Sequence, residues 1–140
     1  LGERQLRRYF DNATRQKGNT GENLLLICES RLDNVIRKIG LAKTRPQARQ
    51  GVAHGHFRVN GHKVDRPSYS VRIGDIITVR PRQNVLQMYQ KIREMGVEGE
   101  GCEWVTFDTD TLTATVVGKP AKSDISLPVD ANTVVEFLSR

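Results

Sequence analysis

Aromatic residues are few: one Trp, three Tyr and four Phe in 140 residues. No basic amphipathic stretch therefore carries the broad aromatic face that inserts into a membrane surface. Apolar runs are short, none approaches the length of a membrane-crossing helix, and no signal peptide is visible. Cysteine is scarcer still. Cys28 and Cys102 lie far apart, which gives neither a zinc signature nor a disulfide framework. Cys28 falls in an apolar helical run and reads as a core residue, in keeping with a reducing, cytoplasmic setting. The sequence has no P-loop and no dinucleotide fingerprint, and Gly96, Gly99 and Gly101 stand among acids that repel phosphate. It has no internal repeat and no low-complexity tract. One local shortage is the sharpest: between Arg31 and Val64 the only acid is Asp33.

That acid-poor stretch belongs to the block Arg31–Ser68, RLDNVIRKIGLAKTRPQARQGVAHGHFRVNGHKVDRPS. Leu32, Val35, Ile36 and Ile39 recur at helical spacing, with Arg31, Asn34, Arg37 and Lys38 on the other faces. Gly40 can end this helix in a left-handed C-cap. Thr44 N-caps a second helix, Gln47 completes a T-x-x-Q capping box, and Pro46 sits in the first turn. Arg45 and Arg49 share a face. Ala48, Val52 and Ala53 are small enough for close helix packing, and Gly55 closes the helix. Phe57–Val59, Asn60-Gly61 and His62–Val64 then read as a hairpin with a type I′ turn. A further strand is expected at Asp75–Arg80 behind a Gly74-Asp75 turn. Arg31, Arg37, Lys38, Lys43, Arg45 and Arg49 place six cations within nineteen residues, too many to be paired internally by Asp33. This is the electrostatic footprint of a nucleic-acid binder.

The charge of the whole chain is uneven. Residues 1–93 hold 19 Lys and Arg against 7 Asp and Glu, and residues 94–140 hold 3 against 9. A phosphate-facing part is thus joined to a part that does not face phosphate. Upstream of the block, residues 2–17 read as a helix with Leu6, Tyr9, Phe10 and Ala13 on one side and Arg4, Arg7, Arg8, Arg15 and Lys17 around the rest. Residues 22–29 form a short apolar helix that packs on the first. Downstream, a helix over 85–95 carries Val85, Met88, Ile92 and Met95 as a core stripe. Gly96–Gly101 is an acidic linker, and Trp104–Asp108 with Leu112–Gly118 form a hairpin around a 108–111 turn. Residues 119–129 look irregular, and Asp130 can cap a last short helix.

No constellation argues for catalysis. His54, His56 and His62 cluster without acidic or cysteine partners, so a metal site is not expected and RNA-contacting or structural roles are. Asp33 reads as a first-turn acid that suits the helix dipole, and Asp108 and Asp110 as turn formers. Catalytic residues, metal and cofactors are all read as none.

The pattern RLDNV…TR-x-QAR…HGH…VNG…PSY…GD resembles the S-four RNA-binding domain. RQLRRYF and GNTGENLL upstream, and the Trp-bearing hairpin and VEFLSR downstream, extend the resemblance to the family of bacterial-type small-subunit ribosomal protein S-four. The pattern departs from the family at Gly51, generally a larger apolar residue, at Ala53, commonly serine, and at Leu138, often aromatic. The chain starts at Leu1 without methionine, and the family's N-terminal segment is expected to be missing. The resemblance implies an α+β fold: a helical lobe from residues 1–29 joined by a returning segment 119–140, and a second lobe over 30–118. That second lobe has a small mixed or antiparallel sheet packed on helices, with the RNA-binding core at 31–82. It implies a structural, non-enzymatic role in the small ribosomal subunit, with binding to the 5′ domain of 16S-type rRNA, early assembly and an influence on translational accuracy. The RNA-binding set comprises Arg4, Arg7, Arg8, Arg15, Lys17, Arg31, Asn34, Arg37, Lys38, Lys43, Thr44, Arg45, Arg49, Gln50, His54, His56 and Arg58. Implied partners are small-subunit rRNA, ribosomal protein S-five near the opening through which mRNA enters, and the protein's own mRNA, with no membrane and no obligate homo-oligomer. The setting is the ribosome of the cytoplasm, or of an organelle. Two other readings start from the same domain: the RNA handle of a modifying enzyme such as a pseudouridine synthase, and a free-standing RNA-binding stress factor.

Overall fold

The computed structural model describes residues 3–18, 20–95 and 103–120. The expected linker at 96–101, Cys102, and the segment and last helix after residue 120 lie outside the described residues. Residues up to Glu29 belong to one compact unit and Ser30–Lys119 to a second.

The first unit holds two helices, α1 (Glu3–Arg15) and α2 (Thr20–Glu29). Ala13 and Leu24 are buried between them, with Leu6, Tyr9, Phe10 and Ile27 packed around. Gly18 takes a positive φ of 105° after α1. The Asn23 amide donates to the Ala13 and Lys17 carbonyls at 3.2 and 3.3 Å, tying α2 to the end of α1, where the Ala13 carbonyl also accepts from the Gln16 N–H at 3.3 Å.

The second unit contains α3 (Leu32–Lys38), α4 (Arg45–Ala53), β1 (Phe57–Val59), β2 (His62–Lys63), β3 (Ile76–Val79), α5 (Gln83–Glu94), β4 (Val105–Asp108) and β5 (Thr113–Val116). The strands form one sheet in the order β2-β1-β3-β5-β4. Every pairing is antiparallel, so the sheet has no parallel component. Alternation along the strands turns Phe57, Val59, Ile77, Val79, Ala114, Val116 and Val105 inward. They bury against Leu32, Val35 and Ile36 of α3, Ala48 and Val52 of α4, and Val85 and Tyr89 of α5.

Local chemistry fixes the joints. The first N–H groups of α3 find backbone acceptors outside the helix: Leu32 donates to the Tyr69 carbonyl at 2.8 Å and Asp33 to that of Pro67 at 3.2 Å. Gly40 ends α3 with φ 89° and Gly55 ends α4 with φ 75°. Asn60 (φ 52°) and Gly61 (φ 82°) make the expected type I′ turn, setting Val59 opposite His62 and Arg58 opposite Lys63. The Asn60 side chain reaches further. It accepts from the Ile76 N–H at 2.9 Å and donates to the Asp75 carboxylate at 3.0 Å. Asp75 is buried and also accepts from the Arg72 N–H at 2.9 Å and the Tyr69 hydroxyl at 3.4 Å. Burial and the Asp75 charge together raise the Tyr69 pKa.

Two packing expectations are corrected. On α5 the buried face runs through Val85 and Tyr89, with Leu86 and Ile92 beside them, while Met88 and Met95 are 39% and 72% exposed. Spacings of i, i+4, i+7 and of i, i+3, i+7 both follow one helix face, and an aromatic ring wins the inward position because Gly51 leaves room for it. Ala53 is exposed and takes no part in helix packing. At the far hairpin, Asp108 accepts from the N–H groups of Asp110 (2.9 Å) and Thr111 (3.4 Å), as a turn former does. Arg93 of α5 donates to the Thr109 carbonyl in the same turn.

Candidate nucleic-acid interface

Helix α4 presents the densest group of expected contact residues. Lys43, Thr44, Arg49, Gln50 and His54 are exposed, and Arg45 is half-buried. The helix start is held by two reciprocal bonds. The Gln47 N–H donates to Thr44 Oγ1 at 3.2 Å, and Gln47 Oε1 accepts from the Lys43 N–H at 2.9 Å. The returning bond lands one residue before the cap rather than on Thr44 itself. It therefore fixes the backbone of Lys43 along with the helix.

Helix α3 corrects the expectation that its polar faces lie at the surface. Arg31, Asn34 and Lys38 are only 7%, 4% and 4% exposed, and Arg37 is half-buried. The Arg31 guanidinium grips Asp33 bidentately, Nε to Oδ1 at 3.0 Å and NH2 to Oδ2 at 2.9 Å. The single acid between Arg31 and Val64 is thus consumed by its neighbour two residues away. A buried bidentate pair is costly to open, so Arg31 is a structural cation rather than a surface one. The cause is that α3 is covered on nearly every side, polar positions included.

The remaining expected cations lie elsewhere. Arg4, Arg7, Arg8, Arg15 and Lys17 are all exposed in and just after α1, on the sides away from its buried residues. Arg58 projects from the outer face of the sheet, opposite Lys63 on β2 and Thr78 on β3. The row continues through Thr113 to Asp108, so the face runs from positive at the β2 edge to negative at the β4 edge. Like charges directly opposite destabilise a strand pair, and an anionic ligand removes that penalty. Lys63 was not among the expected contacts. The two-residue turn predicts its register opposite Arg58, so the signal was present. The Lys63 stem crosses Gly55, with Cε 2.8 Å from where a Cβ would stand.

His54 and His56 flank the end of α4, their rings 5.8 Å apart and edge-on. His56 is held by the Tyr89 hydroxyl, 2.9 Å from Nδ1. With the imidazole proton on Nε2, the phenol donates to Nδ1. Burial, then His54, then Arg80 lower the His56 pKa, which favours that neutral form. Burial likewise raises the pKa of Tyr89. The Tyr89 oxygen lies 2.6 Å from the point a Cβ on Gly51 would occupy. The glycine and the buried tyrosine therefore fit each other. Among the described residues no three His, Cys, Asp or Glu side chains gather as metal ligands. No helix among them is long and apolar enough to cross a membrane.

Comparison with known proteins places this chain in a family. The S4 domain matches residues 30–77, and the "Ribosomal protein S4/S9 N-terminal domain" matches residues 1–29. Small ribosomal subunit protein uS4 of Rhodopirellula baltica is 61% identical over 140 residues, all of this chain and 69% of that protein. The chain belongs to the uS4 family of small ribosomal subunit proteins. uS4 of Acetivibrio thermocellus and uS4A of Alkaliphilus metalliredigens are each 46% identical over 138 residues, 99% of this chain and 66% of theirs. The chain thus spans about two thirds of the length of these uS4 relatives. The S4 domain match encloses α3, α4, β1 and β2, and so the whole of the α4 surface. Both the helical unit and the S4 domain find counterparts in ribosomal proteins, so the enzyme-handle reading is not favoured.

Proposed function

We propose that this chain is a structural component of the small ribosomal subunit that binds 16S-type rRNA through the exposed surface of α4, aided by Arg58 and Lys63 and by the basic α1. The observation that carries the reading is that α4 has no acid of its own, with Arg45 and Arg49 on a capped helix and Lys43 just before its cap, inside the S4 domain. Folded RNA is recognised chiefly through shape, phosphates and 2′-hydroxyls, and arginine suits bidentate phosphate contact. No catalytic step is assigned to the chain. By family, the RNA target is the 5′ domain, bound early in assembly. The neighbouring protein is ribosomal protein S-five, an influence on decoding accuracy follows from that position, and the protein's own mRNA is a second ligand. The working compartment is the ribosome of the cytoplasm.

The test is reconstitution. The chain is mixed with separate transcripts of the small-subunit rRNA domains, and with complete small-subunit rRNA plus the other subunit proteins. Preferential binding to the 5′-domain transcript, and retention in the particle through a high-salt wash, are expected. Equal binding to all transcripts with loss on washing would support a free-standing RNA-binding factor instead.

A further inference from the structure

A groove of about 260 Å³ opens beside the α4 surface. One rim is Gln47, Gln50 and His54, which follow one another along α4. Met88, Tyr89 and Ile92 of α5 line the other side, and Leu41, Ala42 and His56 also contribute. Among the described residues no Lys, Arg, Asp or Glu lines it, although Lys43, Arg45 and Arg49 stand on the same helix or just before it. A phosphate seeks cations and would pass over this groove for them. A neutral, flat and partly apolar group with hydrogen-bonding edges suits it better. Gln47 has its carbonyl oxygen committed to the Lys43 N–H, which leaves its NH2 to donate. The Gln50 amide makes no hydrogen bond among the described residues, and the Met88 thioether is exposed on the other side. The space is below the roughly 300–1,000 Å³ typical of drug-sized ligands, a scale that fits one planar base.

We propose that the groove between α4 and α5 receives one unstacked nucleobase of the bound RNA, its polar edge met by Gln47 and Gln50 and its face covered by Met88. The inference rests on the RNA-binding reading above and deepens it: the flanking cations hold phosphates while the neutral groove holds a base. Phosphate contacts position an RNA, and base contacts specify it.

The two kinds of contact separate by salt. Gln50 and Met88 are uncharged and exposed, so Gln50→Ala with Met88→Ala removes a base contact without altering charge. The affinity of the complete chain for a 5′-domain transcript is measured across a KCl series, alongside Arg45→Gln with Arg49→Gln. The expected result is a loss of roughly tenfold for the Gln50/Met88 variant, in the range of one lost base-edge contact. Its log–log salt slope and melting temperature should match wild type. Base-modifying reagents should show a nucleotide protected by wild type and exposed with the variant. Gln50→Ala alone, at a solvent-exposed position, keeps the test open if the double variant melts early. Affinity within twofold of wild type with unchanged base protection overturns the proposal. So does a flattened slope, which would make the occupant a phosphate. If the arginine variant flattens the slope while Gln50/Met88 does nothing, the groove fails and the RNA interface stands. If the arginine variant also does nothing, the interface itself fails.

Discussion

Gly51, Tyr89 and His56 form a three-residue lock. Gly51 carries no side chain, and the Tyr89 hydroxyl occupies the space a Cβ there would need while bonding His56. In an ordinary helix Gly→Ala gains about 1 kcal/mol from propensity. Here Gly51→Ala should instead destabilise by about 1–3 kcal/mol through overpacking. In a Tyr89→Phe background the same change should be neutral or stabilising, because the nearest atom is gone. Urea denaturation of the four proteins reads the sign directly, and the same cost in both backgrounds would refute the lock. His56 gives a second residue-scale prediction. Its pKa is lowered in the fold by burial, His54 and Arg80, so the folded state holds the neutral ring more firmly than the unfolded chain. The contribution is complete above the unfolded value of about 6.5 and is lost as pH falls through the folded value. The melting temperature should therefore drop between pH 7.5 and 5.5, and by less in His56→Gln. Parallel curves for the two proteins would contradict this. None of the lock was legible in the sequence, since it joins residues 33 or more apart, and periodicity gave Tyr89 no precedence over Met88.

At the scale of elements, chemistry within a few residues was readable and burial was not. The I′ turn at Asn60-Gly61, the Thr44 cap and the glycine stops at Gly40 and Gly55 follow from backbone rules that act locally. Gly61 has open space around it but φ +82°, so strain alone should make Gly61→Val cost about 1–3 kcal/mol. It would also loosen the register in which Phe57 and Val59 face the core. Thermal melts decide, and an unchanged melting temperature would mean a permissive loop. Thr44→Ala should cost roughly 0.5–2 kcal/mol, the usual loss of a helix N-cap. Because Gln47 also holds the Lys43 backbone, RNA affinity should fall with it. Equal stability in a denaturant titration would remove the cap from the account. The polar burial of α3 escaped sequence reading because its apolar stripe marks only one covered face and says nothing of what covers the polar ones, and because Arg31 and Asp33 look like independent surface charges until their pairing is seen. The strand order β2-β1-β3-β5-β4 was equally hidden. Alternation marks which residues face inward but not which strand lies beside which.

For the whole molecule, the charge map carries the most weight. An excess of cations before residue 94 and of acids after it was plain in the sequence, and the outer face of the sheet repeats that polarity from Lys63 to Asp108. What folding changes is where the excess resides. With Arg31 locked to Asp33, and Asn34 and Lys38 buried, the second unit offers phosphate the α4 surface and the β1–β2 edge rather than α3. The direct measurement is the salt dependence of binding to 5′-domain rRNA for wild type and for Arg45→Gln with Arg49→Gln. Two lost phosphate contacts should weaken binding and flatten the log–log slope by roughly 1.4–1.8, with the melting temperature retained. A folded double variant with wild-type affinity and slope would contradict the claim that α4 is the RNA-binding surface.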